Sequence, residues 1–335
     1  MKYTENAINI FTVKTYKGIG KAWIVKNLKG NESVDNIVSL LNKNSKQEIQ
    51  VTVADFEEKK YQLKERLKKL DKCCDGIVAL GDQKFPQYRG NVKESEQPVF
   101  LYYKGNIDLL SIDNKNITVI GLLNPEGNIE ERERELVAEF VKNGATIVSG
   151  LAFGCDSISH RQALVSDGKT ISILPSPLNN ILPARNNDLA YEIVEKGGLL
   201  VTEYGDDFKN TMELISRYKE RDRLQALFCD TIILAASYAQ NSSQQWQHLS
   251  GQKLDSGARL AMGFAKDYNI PRAVMYDKNF DENNPMFDLN RQLIKEQTNV
   301  TIINQDNLIE TVKKIMSKKS DSTKMKKIKE TQHHD

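Results

Sequence analysis

A strand that runs into a glycine-bearing turn and then a helix leaves backbone N–H groups unpaired at the helix start, where the helix dipole also favours negative charge. Ile147-Val-Ser-Gly-Leu-Ala-Phe-Gly-Cys-Asp-Ser-Ile-Ser-His160 has that form. Ser149, Gly150 and Gly154 therefore make a candidate phosphate site, because a residue without a side chain lets an anion approach the backbone. Asp156 reads equally as a helix cap, and the whole loop as a plain strand–helix turn. The spacing lacks G-x-G-x-x-G and a Walker lysine, so ordinary NAD or ATP binding is not indicated.

Three further groups have suitable chemistry. Arg221 and Arg223, in Tyr218-Lys-Glu-Arg-Asp-Arg ahead of an apolar helix at Leu224–Phe228, carry planar guanidinium forks that bind phosphate bidentately or stack on unpaired bases. The plain alternative is a solvated charged face. Ser256 and Gly257 begin a helix and offer a second set of donors, or an ordinary cap. His160, four residues after Asp156 on one helix face, reads as a loop-ordering group, and Glu203, at the end of a strand, as a loop-ordering acceptor or a remnant of nucleotide-related chemistry. No Ser-His-Asp or metal constellation accompanies them, so no catalytic residue, cofactor or metal is assigned. Near the start, Tyr16-Lys-Gly-Ile-Gly-Lys-Ala22 has the glycine spacing of a helix-hairpin-helix turn, a pattern two glycines also make by chance.

The elements that must hold these groups are legible in the periodicity. Ile37, Leu40, Leu41, Phe56, Leu63, Leu67 and Leu70 recur at three- and four-residue steps, which predicts a small helical N-terminal domain over residues 1–72. Lys72 to Gly105 reads as a connecting layer, punctuated by Gly81, Pro86, Gly90 and Pro98. From there, strands at Ile117–Ile120, Ala145–Val148, Thr170–Leu174, Leu199–Thr202, Thr231–Ala235 and Arg272–Tyr276 alternate with helices at Glu130–Lys142, Ser157–Ser166, Asp188–Glu195 and Gly257–Asp267. Such alternation predicts an α/β fold with a doubly wound, mainly parallel sheet over residues 73–303. A last strand and helix fall at Val300–Ile303 and Leu308–Met316. Tyr238–Lys253, rich in Gln, Ser and Asn around Trp246, reads as a long polar loop. Within residues 304–335 the segment from Lys313 onward reads as a basic, flexible tail.

Bulk composition narrows the class. Lysine and arginine total 47 against 45 acids, a net charge of +2 that neither demands nor excludes a nucleic-acid partner. Cys73, Cys74, Cys155 and Cys229 have neither zinc spacing nor disulfide-scaffold density, which fits a reducing compartment. No apolar run approaches the about 18 residues that span a bilayer, and the first residues lack the apolar core of a signal peptide, so a cytoplasmic protein without membrane contact is expected.

Ser149-Gly-Leu-Ala-Phe-Gly-Cys-Asp156 followed by His160-Arg-Gln-Ala-Leu164 resembles the SGLAxGID…HxxAL signature of the DprA/Smf family. Leu182-Pro-Ala-Arg-Asn-Asn-Asp-Leu189, Gly197-Gly-Leu-Leu-Val-Thr-Glu203, Arg221-Asp-Arg223 and Ser256-Gly-Ala258 resemble further family segments in the family's order. The resemblance spans about Gly76 to Tyr276. It implies a Rossmann-like fold, single-stranded DNA as partner, protection of that strand or its delivery to a RecA-type recombinase, homodimers and no enzymatic activity. On this reading the Ser149–Asp156 loop and the Ser256–Gly257 helix start hold phosphates, and Arg221 and Arg223 clamp the strand.

The chain departs from the pattern where the family's first main strand ends in G-S-R: here it reads Gly121-Leu-Leu, so Leu122 and Leu123 remove a polar and a charged contact. The stretch after Tyr276 is short for the winged helix that many members carry. Two alternatives stay open. One is the antitoxin or sensor half of a phage-defence pair that restrains a toxin-like partner; the other is a nucleotide-processing enzyme, although no PGGxGTxxE loop is present.

Overall fold

The computed structural model describes residues 1–44, 50–254, 257–296 and 299–318. In chain order these form helices α1 (Glu5–Lys14), α2 (Lys21–Asn27), α3 (Val34–Asn42) and α4 (Val53–Leu67), then strands β1 (Gly76–Ala79), β2 (Phe100–Gly105) and β3 (Asn116–Ile120). They continue as α5 (Gly127–Lys142), β4 (Thr146–Ser149), α6 (Cys155–Val165), β5 (Thr170–Ile173), α7 (Asn187–Glu195), β6 (Leu199–Thr202), α8 (Thr211–Leu227) and β7 (Thr231–Leu234). The last are α9 (Ser242–Gln245), α10 (Gly257–Asp267), β8 (Arg272–Met275), α11 (Lys278–Asp281), α12 (Asp288–Lys295), β9 (Val300–Ile303) and α13 (Leu308–Ser317).

The strands make one sheet in the order β1-β2-β6-β5-β4-β3-β7-β8-β9. From β6 to β9 it is parallel, whereas β1 and β2 add to one edge antiparallel. This is the expected doubly wound α/β arrangement. Its central strands are buried on both faces, so they read as continuous apolar runs rather than as clean alternation. Alternate residues nevertheless serve different layers: Ile117, Val119 and Ile233 pack under α5 and α13, while Ile120, Ile232 and Leu234 pack against α8 and α10.

Two sequence expectations change here, at Lys72–Gly105 and at Tyr238–Lys253. The stretch Lys72–Gly105 is more than a connecting layer, because its two apolar runs are β1 and β2 of the sheet itself. The N-terminal helices share a core with that edge: Ile8, Ile10, Ile24, Phe56 and Leu63 pack in one cluster with Ile77, Phe100, Tyr102 and Leu200. A capping box between Thr52 and Asp55 starts α4. Tyr238–Lys253 is also not a bare loop, since Ser242 and Trp246 both donate to Asp288, Trp246 Nε1 at 2.9 Å, and this carboxylate organises α9 and the turn after it.

Arg221 and Arg223 lie well inside α8, not ahead of a shorter helix. The apolar residues that set the predicted helix start are only the buried end of a longer helix whose first half is largely exposed, Met212 and Ile215 included. Ser256 and residues 319–335, which hold most of the expected basic tail, lie outside the described residues.

Candidate ligand pocket

The strand order reverses between β3 and β7, since β4, β5 and β6 lie to one side of β3 and β7, β8 and β9 to the other. At such a switch point the loops leaving adjacent strands diverge and open a crevice at the strand carboxyl ends. A cavity of about 400 Å³ occupies this position, with Leu123, Phe153, Tyr218, Arg221, Gln225 and Gly257 among its walls. That volume falls in the range of small-ligand sites.

The Ser149–Asp156 loop forms one wall, and its geometry explains its glycines. Gly154 has φ +66°, and a Cβ there would lie 2.2 Å from the Leu122 carbonyl oxygen. Gly150 faces the Arg221 guanidinium so closely that a Cβ would sit 1.1 Å from Nη1. Ser149 is buried and donates to the Val119 carbonyl at 2.7 Å, which ties β4 to β3. Asn186, in the segment before α7, donates to the carbonyls of Leu151 and Ala152 at 2.8 and 3.3 Å. It thereby supports Leu151, held at the unfavourable φ of +65°.

Asp156 turns inward from α6, and its Oδ2 accepts from the N–H groups of Gly150 and Ala152, both at 3.2 Å. These bonds hold the loop, and they bear on the chemistry assigned to it. Two amides assigned to a phosphate already serve a carboxylate, whose charge repels an incoming anion. Arg221 Nη1 lies 3.4 Å from the same oxygen, and Arg221 Nε 3.4 Å from Asp222. Burial works against the guanidinium's charge, yet Asp222 and Asp156 beside it raise its pKa above the ordinary value. Oriented to suit these neighbours, the Gln225 amide donates to Asp222 at 3.1 Å and accepts from Gly150 N and Arg221 Nη1 at 3.1 and 3.3 Å. The floor is a closed network of one cation and two anions.

Above it the walls are apolar. Leu123 is 41% exposed and lines the cavity, whereas Leu122 packs with Ile129, Cys155 and Phe287 in the core. Phe153 is 40% exposed at the mouth, and the Tyr218 ring centroid lies 5.5 Å from the Arg221 guanidinium carbon. Aromatic walls of this kind favour stacking with a planar aromatic group.

Arg223 is a different case from Arg221. It is 1% exposed and does not line the cavity; its guanidinium bonds Glu203 and the Glu96 carbonyl, with Glu220 at 3.3 Å. It is thus a support for α8, and the expected strand clamp reduces to Arg221. Glu203 likewise orders no loop: it also pairs with Lys21 of α2 at 3.1 Å and joins the N-terminal helices to α8. Lys21, from the glycine-rich turn between α1 and α2, is engaged there and with Glu220 at 3.0 Å.

His160 is fully buried, its Nδ1 lies 2.6 Å from the Thr170 hydroxyl, and burial with the nearby Arg221 charge pushes its pKa down to about 3. It links α6 to β5 as a neutral ring, away from the glycine turn it was expected to order. Gly257 opens α10 at the cavity wall. The sequence reading did not assign Phe153, Tyr218 or Gln225 of the cavity to the site, nor two residues beside it. Asn186 and the exposed Arg185 stand in the Leu182–Leu189 segment, next to Pro183 on the cavity wall.

Among the described residues no group of three or more His, Cys, Asp or Glu side chains is placed to hold a metal ion, and no helix is long and apolar enough to cross a membrane. The four cysteines are thiols.

A doubly wound, mainly parallel sheet with a cavity at its switch point defines a Rossmann-like fold. Residues 76–245 of the 335 match the profile of the DNA recombination-mediator protein A family, and the chain belongs to that family. It is 31% identical over 128 residues to protein Smf of Borreliella burgdorferi, covering 38% of this chain and 39% of that protein. It is 30% identical over 148 residues to DNA processing protein DprA of Streptococcus pneumoniae, covering 44% of this chain and 50% of that protein. The chain thus spans half or less of the length of these curated relatives.

Among solved structures, DprA from Streptococcus pneumoniae superposes with a TM-score of 0.65 at 22% identity, over 92% of this chain and 99% of that one, and shares the fold. The Helicobacter pylori DNA processing protein A, whose structure is described for its single-stranded DNA binding mode, matches with a TM-score of 0.52 at 26% identity, over 70% of this chain and 98% of that one.

Proposed function

We propose that this chain binds single-stranded DNA by taking an unpaired base into the switch-point pocket, and that it acts as a binding protein rather than by bond chemistry. The carrying observation is the pocket's composition: aromatic and aliphatic walls over a floor whose single guanidinium is outweighed by two carboxylates. Such a site suits a neutral base with polar edges better than a phosphate. Family membership and the single-stranded DNA bound by the Helicobacter pylori relative support the same partner.

On this reading the phosphates stay outside, along the rim where Arg185 is exposed. Duplex DNA is disfavoured because its bases cannot leave the stack without a cost of a few kcal/mol. The bound strand is protected, and a RecA-type recombinase would receive it.

The test is fluorescence anisotropy of a labelled single strand and its duplex, with the wild type, Phe153→Ala and Tyr218→Ala, at two salt concentrations. Stacking of one base stabilises by about 1–3 kcal/mol, so each variant should weaken the single strand roughly 5- to 100-fold while leaving thermal stability close to wild type. Equal affinity for the duplex, or variants that bind like wild type, would overturn the reading.

A further inference from the structure

Tyr238–Lys253 supplies no wall of the base pocket and little of the interior: of its sixteen residues only Ala239, Ser242 and Leu249 are buried. A polar segment of this kind gains little from burial, so ordering it takes specific bonds. They come from Asp288, a buried carboxylate at the start of α12 that accepts from the Ser242 hydroxyl and from Trp246 Nε1 and pairs with Arg291. A buried charge is tolerated only when its bonds are made, and here those bonds hold α9 against α12.

What the anchored segment turns to solvent is a set of carboxamides. Between α9 and α12 lies a groove of about 720 Å³ whose walls carry Gln240, Asn241, Gln244, Gln245 and Gln292, all exposed. Among the described residues none of these five side-chain amides has a hydrogen-bond partner. The charges along the groove cancel, with Arg291 and Lys295 against Asp288 and Glu296. The segment leaves the carboxyl end of β7, one of the two strands that flank the base pocket, so the groove begins at the same end of the sheet.

We propose that this groove is a second binding site, which takes the base edges of nucleotides beyond the one held in the pocket, on the same unpaired strand. It rests on the pocket reading for the class of partner and for nothing else. A carboxamide offers two donors and an acceptor from one planar group and can turn over, so it meets the mixed donor and acceptor edges that unpaired bases expose. Phosphates fit less well, because the groove has no net charge to attract them. A protein partner also fits less well, since Ala239 is the only apolar residue on the walls among the described residues, and protein interfaces centre on buried aromatic anchors.

Abasic nucleotides separate the two sites, because they keep the phosphates and remove the bases. The probes are a labelled strand of roughly 20 nucleotides, enough to span a groove of single-strand-binding size, and the same strand with every base but a central one removed. The single base can fill the pocket, whereas only the intact strand can also fill the groove. The proteins are the wild type, Phe153→Ala and a Gln240→Ala/Gln244→Ala/Gln245→Ala/Gln292→Ala variant, whose exposed positions leave the fold intact. The quadruple variant should bind the intact strand about tenfold or more weakly and the single-base strand like wild type. Its slope of log affinity against log salt should match wild type, because no phosphate contact is removed. Wild-type affinity for the intact strand, an equal loss on both strands, or a shallower slope would overturn the proposal. Unchanged binding of both strands with a shift from dimer to monomer in sedimentation would assign the groove to a second copy of the chain and overturn it too. A loss in the quadruple variant, with Phe153→Ala like wild type on both strands, would sink the pocket reading and leave the groove standing.

Discussion

Gly150 and Arg221 are fitted to one another: the guanidinium Nη1 of Arg221 lies 1.1 Å from where a Cβ on residue 150 would stand. The loop glycine is present because the helix arginine crosses it. Gly150→Ala must expel the guanidinium from its bonds with Asp156 and Gln225, and the expected result is a loss of single-strand affinity of about tenfold or more, equivalent to roughly 1.4 kcal/mol. Anisotropy against an unpaired strand reads it. Wild-type affinity in this variant would show that the Arg221 network does not shape the pocket.

The second prediction separates two arginines that look alike in sequence. Arg223 is buried against Glu203, so Arg223→Met leaves a carboxylate with only Lys21 and should cost about 3–5 kcal/mol in chemical denaturation. Adding Glu203→Leu removes the stranded charge and should recover much of that loss. A double variant no more stable than the single one would contradict this account of the pair.

Stability should also depend on pH through Glu133. This side chain is wholly buried and accepts from the Ser159 hydroxyl at 2.7 Å; burial pushes its pKa from 4.5 up to about 8. The folded state holds the proton that the unfolded chain releases, so stability declines as pH rises from about 4.5 and levels off beyond about 8. Glu133→Gln keeps the hydrogen-bonding shape without the ionisation. Melting curves across that window should show the variant gaining on the wild type as pH increases, and parallel curves would sink the assignment.

Asn186 gives the fourth prediction. Its amide supports the Leu151 and Ala152 carbonyls, so Asn186→Ala should cost about 1–3 kcal/mol and loosen the loop. Hydrogen exchange of the amides from Gly150 to Gly154 should accelerate while that of β7 changes only with global stability. Protection of the loop equal to wild type would mean that Gly154 and Asp156 suffice to hold it.

Much of this molecule was legible beforehand. The strands from β3 to β8 and the helices between them were visible because buried parallel strands need short apolar runs and their crossover helices need an apolar stripe. β1 and β2 were missed as sheet members, since Gly81, Pro86 and Gly90 between them give the composition of a loop. The start of α8 was placed too late because Thr211 to Lys219 has no apolar stripe facing the core: Met212 and Ile215 are exposed.

The sequence by itself determined the layer architecture, the strand–turn–helix at Ser149–Asp156 and the family signature, because each depends on neighbours a few residues apart. Only the tertiary structure decided what those residues do. Arg221 and Arg223 are two positions apart on one helix and so point in different directions, one to the pocket and one to Glu203. Asp156 faces the amides assigned to phosphate because α6 turns it inward. Burial and direction belong to the packing of distant segments, and no local spacing records them.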